Sequence, residues 1–244
     1  MSLMMVVRRA KERGHDQSGK GSLWLTFDSR AEGDPLAHGF NGLQVLNESR
    51  LPPGRASLPH PHRDAEIITY VLDGALAYDD SMGRSGVLNA GEFRRMTAGQ
   101  GVICTETNAS RTDWVHVFQL WLRSRDAGMR PGHEQKRFST AQRRGRLCLV
   151  ASRDAQMGSL HLREHALVYS ALLERGHHII HDLALGRAAW LHVVAGEVTL
   201  GDVALLAGDG AGISGVRPVS FTAREETEIL LLDLVEQPAA TDLV

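Results

Sequence analysis

Four side chains stand out by type and spacing. His60 and His62 flank a proline, and Cys104 and Glu106 flank a threonine. Residues two apart on a β-strand point to the same face. Each pair can therefore send two donor atoms toward one point, and neighbouring strands could present all four. Imidazole nitrogen, thiolate and carboxylate are all metal ligands, and such a set suits Zn²⁺ or another first-row transition ion. The plainer reading is two solvated imidazoles and a small buried thiol. The elements that carry these residues have to decide between the two.

Those elements read as strands. Ile67-Ile68-Thr69-Tyr70-Val71-Leu72 stops at Asp73-Gly74, and Val198-Thr199-Leu200 turns at Gly201-Asp202 into Val203-Ala204-Leu205-Leu206, a tight hairpin. Asp80-Ser81-Met82-Gly83 is a further reversal. The run Val115–Leu122 is apolar enough for a strand buried on both faces, and Glu228–Leu234 reads as a final core strand. Strands every 8–12 residues or so, punctuated by turns, indicate an all-β sandwich or barrel. The clearest helical candidate is the short segment from Ser139 to Arg146. A charged stretch from Arg123 to Arg137 separates two strand-rich regions of similar size. The phrases Val71-Leu72-Asp73-Gly74 and Val193-Val194-Ala195-Gly196 hint that one barrel is duplicated. Two domains are expected, 1–132 and 133–244, followed by a patternless tail after Glu236.

Composition narrows the function classes. In 244 residues, 27 basic side chains face 29 acidic ones, a formal charge of −2 with no overall basic field for nucleic acid or anionic lipid. Hydrophobic residues at 43% argue against wholesale disorder. No apolar run approaches a membrane span, and Leu3–Val7 is too short for a signal-peptide core. Cys104 and Cys148 make no disulfide framework. A cytoplasmic protein with no direct nucleic-acid or membrane partner is expected, most simply a monomer.

The frame around the four residues says more. Gly54 stands upstream of His60, Glu66 follows His62, and Gly74 closes the next strand. Downstream runs Gly101-Val102-Ile103-Cys104-Thr105-Glu106-Thr107-Asn108. This resembles the two-motif pattern of cupins, small β-barrels that hold a metal inside, with Cys104 in place of the usual histidine. The likeness is closer still to the pirin family of bicupins. It is carried by Leu58-Pro59-His60-Pro61-His62-Arg63-Asp64-Ala65-Glu66, Asp80-Ser81-Met82-Gly83, Ala90-Gly91-Glu92-Phe93 and Thr97-Ala98-Gly99-Gln100-Gly101. Gly39–Leu43, Gln119-Leu120-Trp121, Glu134–Phe138 and Trp190–Val198 fit as well.

The resemblance implies an all-β bicupin of two tandem jelly-roll-like barrels, the first holding one metal and the second lacking a metal motif. Carried over by position, His60, His62 and Glu106 match family ligands, and Cys104 stands where a third histidine is expected. One divalent ion is implied, iron(II) first, with Zn, Ni, Co, Mn or Cu as alternatives. The thiolate would alter its softness and redox poise and add a site of oxidation. Glu66 is read as support behind the ligands or a strand salt bridge, and Asn108 as a turn former.

Several pirin-like proteins are quercetin 2,3-dioxygenases. The implied function is metal-dependent cleavage of a flavonol-like aromatic substrate with O₂, Glu106 being ligand and general base. Phe40, Phe93 and Met96 are candidate walls for a flat substrate. The competing class is a non-enzymatic metal-binding regulator or redox sensor working through a protein partner. A zinc hydrolase finds no other support in the chain. In the second half, His177 and His181 would lie about 13 Å apart on a strand, at ~3.3 Å per residue, too far to chelate together. Arg143-Arg144-Gly145-Arg146 reads as a solvated basic face.

Overall fold

The computed structural model describes residues 4–17, 21–124, 126, 128–215 and 218–237. The backbone is almost wholly β. In the first half, a four-stranded sheet runs in the order His60–His62, Val102–Asn108, Ala75–Asp80, Ser85–Asn89. It faces a seven-stranded sheet ordered Gly132–Arg137, Glu92–Thr97, Ala65–Asp73, Val115–Arg123, Leu43–Leu51, Ser22–Leu25, Gly14–Asp16. The second half repeats the plan, with a four-stranded sheet His178–His181, Val219–Ala223, Glu197–Leu200, Val203–Leu206. Its larger sheet has Gly210–Ser214, Arg187–Ala195, Thr227–Val235 and Leu167–Leu173 in the places of Glu92–Thr97, Ala65–Asp73, Val115–Arg123 and Leu43–Leu51.

The duplication is visible at single residues. Gly74 and Gly196 both have left-handed backbone, φ +79° and +81°. A Cβ on either would lie 2.5 Å from the Trp114 carbonyl oxygen or 2.3 Å from that of Glu226. Only glycine permits both the conformation and the close approach.

The two large sheets pack face to face, which explains the unbroken apolar runs. Along Ala65–Asp73, Ile68 and Tyr70 enter the core between the barrels, whereas Ile67 and Val71 fill the interior of the first. Leu230, Leu232 and Leu234 likewise face the inter-barrel core, and Ile229 and Leu231 the second barrel's interior. A strand buried on both faces has no polar side to alternate with. The interface also carries a polar cluster: Arg143 donates to Glu228 (2.8 Å) and to the Tyr70 hydroxyl (2.9 Å), and Tyr70 donates to Glu228 (2.5 Å).

The short helix forms at Thr140–Arg143, capped by Ser139 through the Gln142 amide. Two boundaries differ from the sequence reading. Gly132–Arg137 is no linker: it pairs with Glu92–Thr97 along its whole length and belongs to the first barrel, so a cut at 132/133 falls at the mouth of a strand. Met4–Arg8 pairs with Gly210–Ser214 and so completes the second barrel. Edge strands are recruited by whichever edge they reach, which local pattern does not specify. Arg143, expected on a solvated face, is 6% exposed in the interface cluster. Residues 238–244 of the tail lie outside the described residues.

Candidate metal centre

The backbone places the four donors as their spacing predicts. In antiparallel register Cys104 opposes His60 and Val102 opposes His62, while on the other side Glu106 opposes Tyr78. Directly opposed residues share a face, and alternation carries that face along each strand. His60, His62, Cys104 and Glu106 all belong to the inner face of the first barrel.

The histidines form a pair. Their rings lie 4.5 Å apart, edge to face, and His62 meets the Trp121 ring at 4.7 Å. His60 Nδ1 sits 3.0 Å from the Leu58 carbonyl oxygen. A carbonyl only accepts, so Nδ1 carries a proton and is the donor here. His62 is 4% exposed, and its Nδ1 has no hydrogen-bond partner. Burial, followed by the His60 and Arg94 charges, pushes its pKa down to about 4. It is a neutral imidazole at physiological pH.

Glu106 is already engaged. Arg94 Nη2 donates to Oε1 at 2.9 Å, and Gln119 Nε2 donates to Oε2 at 2.7 Å. Its backbone is tied as well, the N–H to Ser57 Oγ (2.9 Å) and the carbonyl to the Ser57 N–H (2.7 Å). Arg94 is buried, with its guanidinium 4.0 Å from the centre of the Tyr78 ring. Cys104 turns elsewhere. Its thiol lies 3.5 Å from the Met96 sulfur in an apolar cluster with Ala65, Ile67 and Val102. Burial raises its pKa to about 11, the Arg94 charge opposing and the Glu106 charge adding to the rise.

The expected convergence is therefore not met at the side-chain level. Among the described residues, no three His, Cys, Asp or Glu side chains stand close enough together to hold a metal ion. The donor chemistry nonetheless fits a divalent ion: two imidazoles, that of His62 with an unpartnered buried nitrogen, on the same face as a carboxylate. The charge partner of that carboxylate within the chain is Arg94.

His60 and Glu106 open onto a cleft of about 410 Å³, with Gln119 and Trp121 beside them. Its apolar wall is Leu51, Leu58, Leu76 and Val117, and its polar rim includes Asn47, Ser49 and Arg55. Phe40, Phe93 and Met96 do not line it. Phe93 stacks on Tyr70 in the inter-barrel core, Phe40 leans on Trp190, and Met96 packs on Cys104. Glu66 also faces away: it is fully buried, its Oε2 lies 3.5 Å from the Arg163 N–H of the second barrel, and burial raises its pKa. Asn108 is a turn former, donating to the Leu51 and Asp113 carbonyls and accepting from the Ser110 N–H.

Sequence reasoning missed Arg94 and Gln119 as site residues. Alternation held the signal: Arg94 shares the parity of Met96, and Gln119 that of Val117 and Trp121, all inward-facing positions. In the second barrel, register puts Val219 and Phe221 where the first has Cys104 and Glu106, and both belong to its apolar core. Its histidines disperse. His177 accepts from the Glu174 N–H, His178 meets Thr222, and His181 meets Asp233.

Two duplicated β-barrels with a histidine pair and a carboxylate on the inner wall of the first define a bicupin. Residues 25–122 match the Pirin family and residues 149–234 match the quercetinase C-terminal cupin domain. The chain is 37% identical to a quercetin 2,3-dioxygenase of Escherichia coli K12, over 95% of this chain and 99% of that one. It is 34% identical to a pirin-like protein of Caulobacter vibrioides, over 82% and 86%. It superposes on bacterial pirin YhhW of Escherichia coli in complex with nickel(II) with a TM-score of 0.90 and 36% identity, covering 96% of this chain and all of the other. The protein belongs to the pirin family.

Proposed function

We propose that this chain is a metal-dependent dioxygenase of the quercetinase type, acting on a flavonol-like aromatic substrate with O₂. The observation that carries the reading is the His60–His62 ring pair, with His60 and Glu106 both at the wall of a cleft lined by Leu51, Leu58, Leu76, Val117 and Trp121. The names of full-length relatives support it.

His60, His62 and Glu106 would hold one divalent ion, iron(II) as the expected native metal and nickel(II) as in the relative's complex. When bound, the ion supplies Lewis-acid activation and a template for substrate. The remaining work belongs to side chains. The apolar wall and the Trp121 ring hold a flat substrate and exclude water. Glu106 accepts the proton of the substrate hydroxyl at a carboxylate oxygen, and Gln119 orients that carboxylate through Oε2. Cys104 packs against Met96 beside the ligands and takes no place in the cleft wall. A sensor built on oxidation of Cys104 would need oxidant access to a thiol that is 1% exposed. Two free thiols, Cys104 and Cys148, suit a reducing compartment and support a cytoplasmic location.

The test is quercetin turnover by protein loaded with iron(II) or nickel(II), followed as O₂ uptake and CO release. Turnover that is lost in His60→Ala with His62→Ala is the expected result. Full metal loading with no O₂ uptake would overturn the enzyme reading.

A further inference from the structure

We propose that Arg94 is a built-in cation for Glu106, so that a metal ion enters this site only by displacing the guanidinium from the carboxylate. The proposal rests on the reading that His60, His62 and Glu106 are the metal ligands.

The geometry carries it. Arg94 is buried at 3% side-chain exposure, and its one ion-pair partner among the described residues is Glu106, at 2.9 Å. Stacking on Tyr78 at 4.0 Å fixes the guanidinium plane, and Gln119 occupies the other carboxylate oxygen. Both oxygens are thus committed to donors from within the chain, and a charge-assisted bond of this kind is among the stronger ones a protein makes. The position is also central. Arg94 shares its strand face with Met96, which touches the Cys104 thiol, so the guanidinium lies on the wall that carries the donors. A dication seated on the imidazoles would meet that positive charge at close range.

The neighbouring arginine cannot substitute. Arg95 lies on the opposite face of its strand, where it donates to Thr97 and reaches Glu134. Within the barrel, Arg94 is thus the cation that balances the Glu106 carboxylate. Removing the guanidinium frees the carboxylate and deletes the repulsion, so affinity for a divalent ion rises.

The experiment is calorimetric titration of the full chain with Ni²⁺. It compares wild type, Arg94→Gln, Arg94→Met, Arg94→Lys and the His60→Ala/His62→Ala double variant. The Gln and Met variants are expected to bind Ni²⁺ about ten- to a hundredfold more tightly than wild type, the equivalent of one charge-assisted hydrogen bond. The Lys variant keeps the charge and stays near wild type. Arg94→Gln also retains a donor to Glu106, which protects folding if Arg94→Met does not fold. Melting in EDTA gives a readout independent of metal: the Gln and Met variants melt below wild type, and Ni²⁺ raises their melting temperature more. If all Arg94 variants bind as wild type does while the double histidine variant loses binding, the exchange is refuted and the metal site stands. If neither wild type nor any Arg94 variant binds Ni²⁺, the ligand assignment falls and takes the exchange with it.

Discussion

His192 offers a direct test of how the interface between the barrels responds to acid. Its side chain is fully buried, its ring lies 5.8 Å from that of Phe118 across the interface, and neither ring nitrogen has a hydrogen-bond partner. Burial, then the Arg13 charge, lowers its pKa from 6.5 to about 3, with Glu48 opposing. The folded chain therefore holds the ring neutral, while the unfolded chain protonates it below about pH 6.5. The unfolded state binds more protons in that window, so stability falls as pH drops from about 6.5 toward 3. At pH 5 the loss from this one group is about 2 kcal/mol, from 1.36 kcal/mol per unit over the 1.5 units below its unfolded pKa. His192→Leu removes the group. Urea unfolding followed by tryptophan fluorescence at pH 8 and pH 5 should show wild type losing about 2 kcal/mol more than the variant between the two. Other titrating groups are common to both chains and cancel in the comparison. Parallel pH profiles for the two proteins would refute the assignment of a buried, neutral, unpartnered imidazole.

Glu48 works at lower pH. Burial alone would raise its pKa, but hydrogen bonds from His116 and Arg13 more than reverse this and hold it at about 2. Its stabilisation is present above pH 4.5 and lost as pH falls through 2. Glu48→Gln should cost about 3 kcal/mol at pH 7 and about 2 at pH 3.5, measured by denaturant unfolding. Gly196→Ala forces a Cβ to 2.3 Å from the Glu226 carbonyl at positive φ; a loss of about 2–4 kcal/mol in thermal unfolding is expected, and a neutral result would contradict the tight turn. Cys104→Ser should leave Ni²⁺ affinity within about twofold, whereas Cys104→His, adding an imidazole on the same face, should raise it roughly tenfold. A serine variant that loses metal outright would show Cys104 to be a ligand.

Much of the molecule was legible because it depends on periods of two and on turn chemistry. The His-X-His and Cys-X-Glu spacings put each pair on one face of its strand, and the register brings Cys104 opposite His60. The apolar run Val115–Leu122 announced a strand buried on both sides, and the Gly74 and Gly196 phrases hinted at the duplication. Those signals are local, since each residue's face follows from its neighbours in the chain.

What tertiary structure decided is where the side chains on that face find partners. Glu106 takes its charge partner from Arg94, and Cys104 its packing partner from Met96, both supplied by the strand Glu92–Thr97. Met4–Arg8 completes the distant barrel because an open edge needs hydrogen bonds from whichever strand reaches it. His192 is neutral because the packing of two sheets removes its water. Ion pairing, burial and edge pairing depend on distance in space, which spacing along the chain does not encode. That His60 shares a face with His62, and Cys104 with Glu106, was therefore written in the primary sequence, and the pairing of Arg94 with the Glu106 carboxylate was settled only by folding.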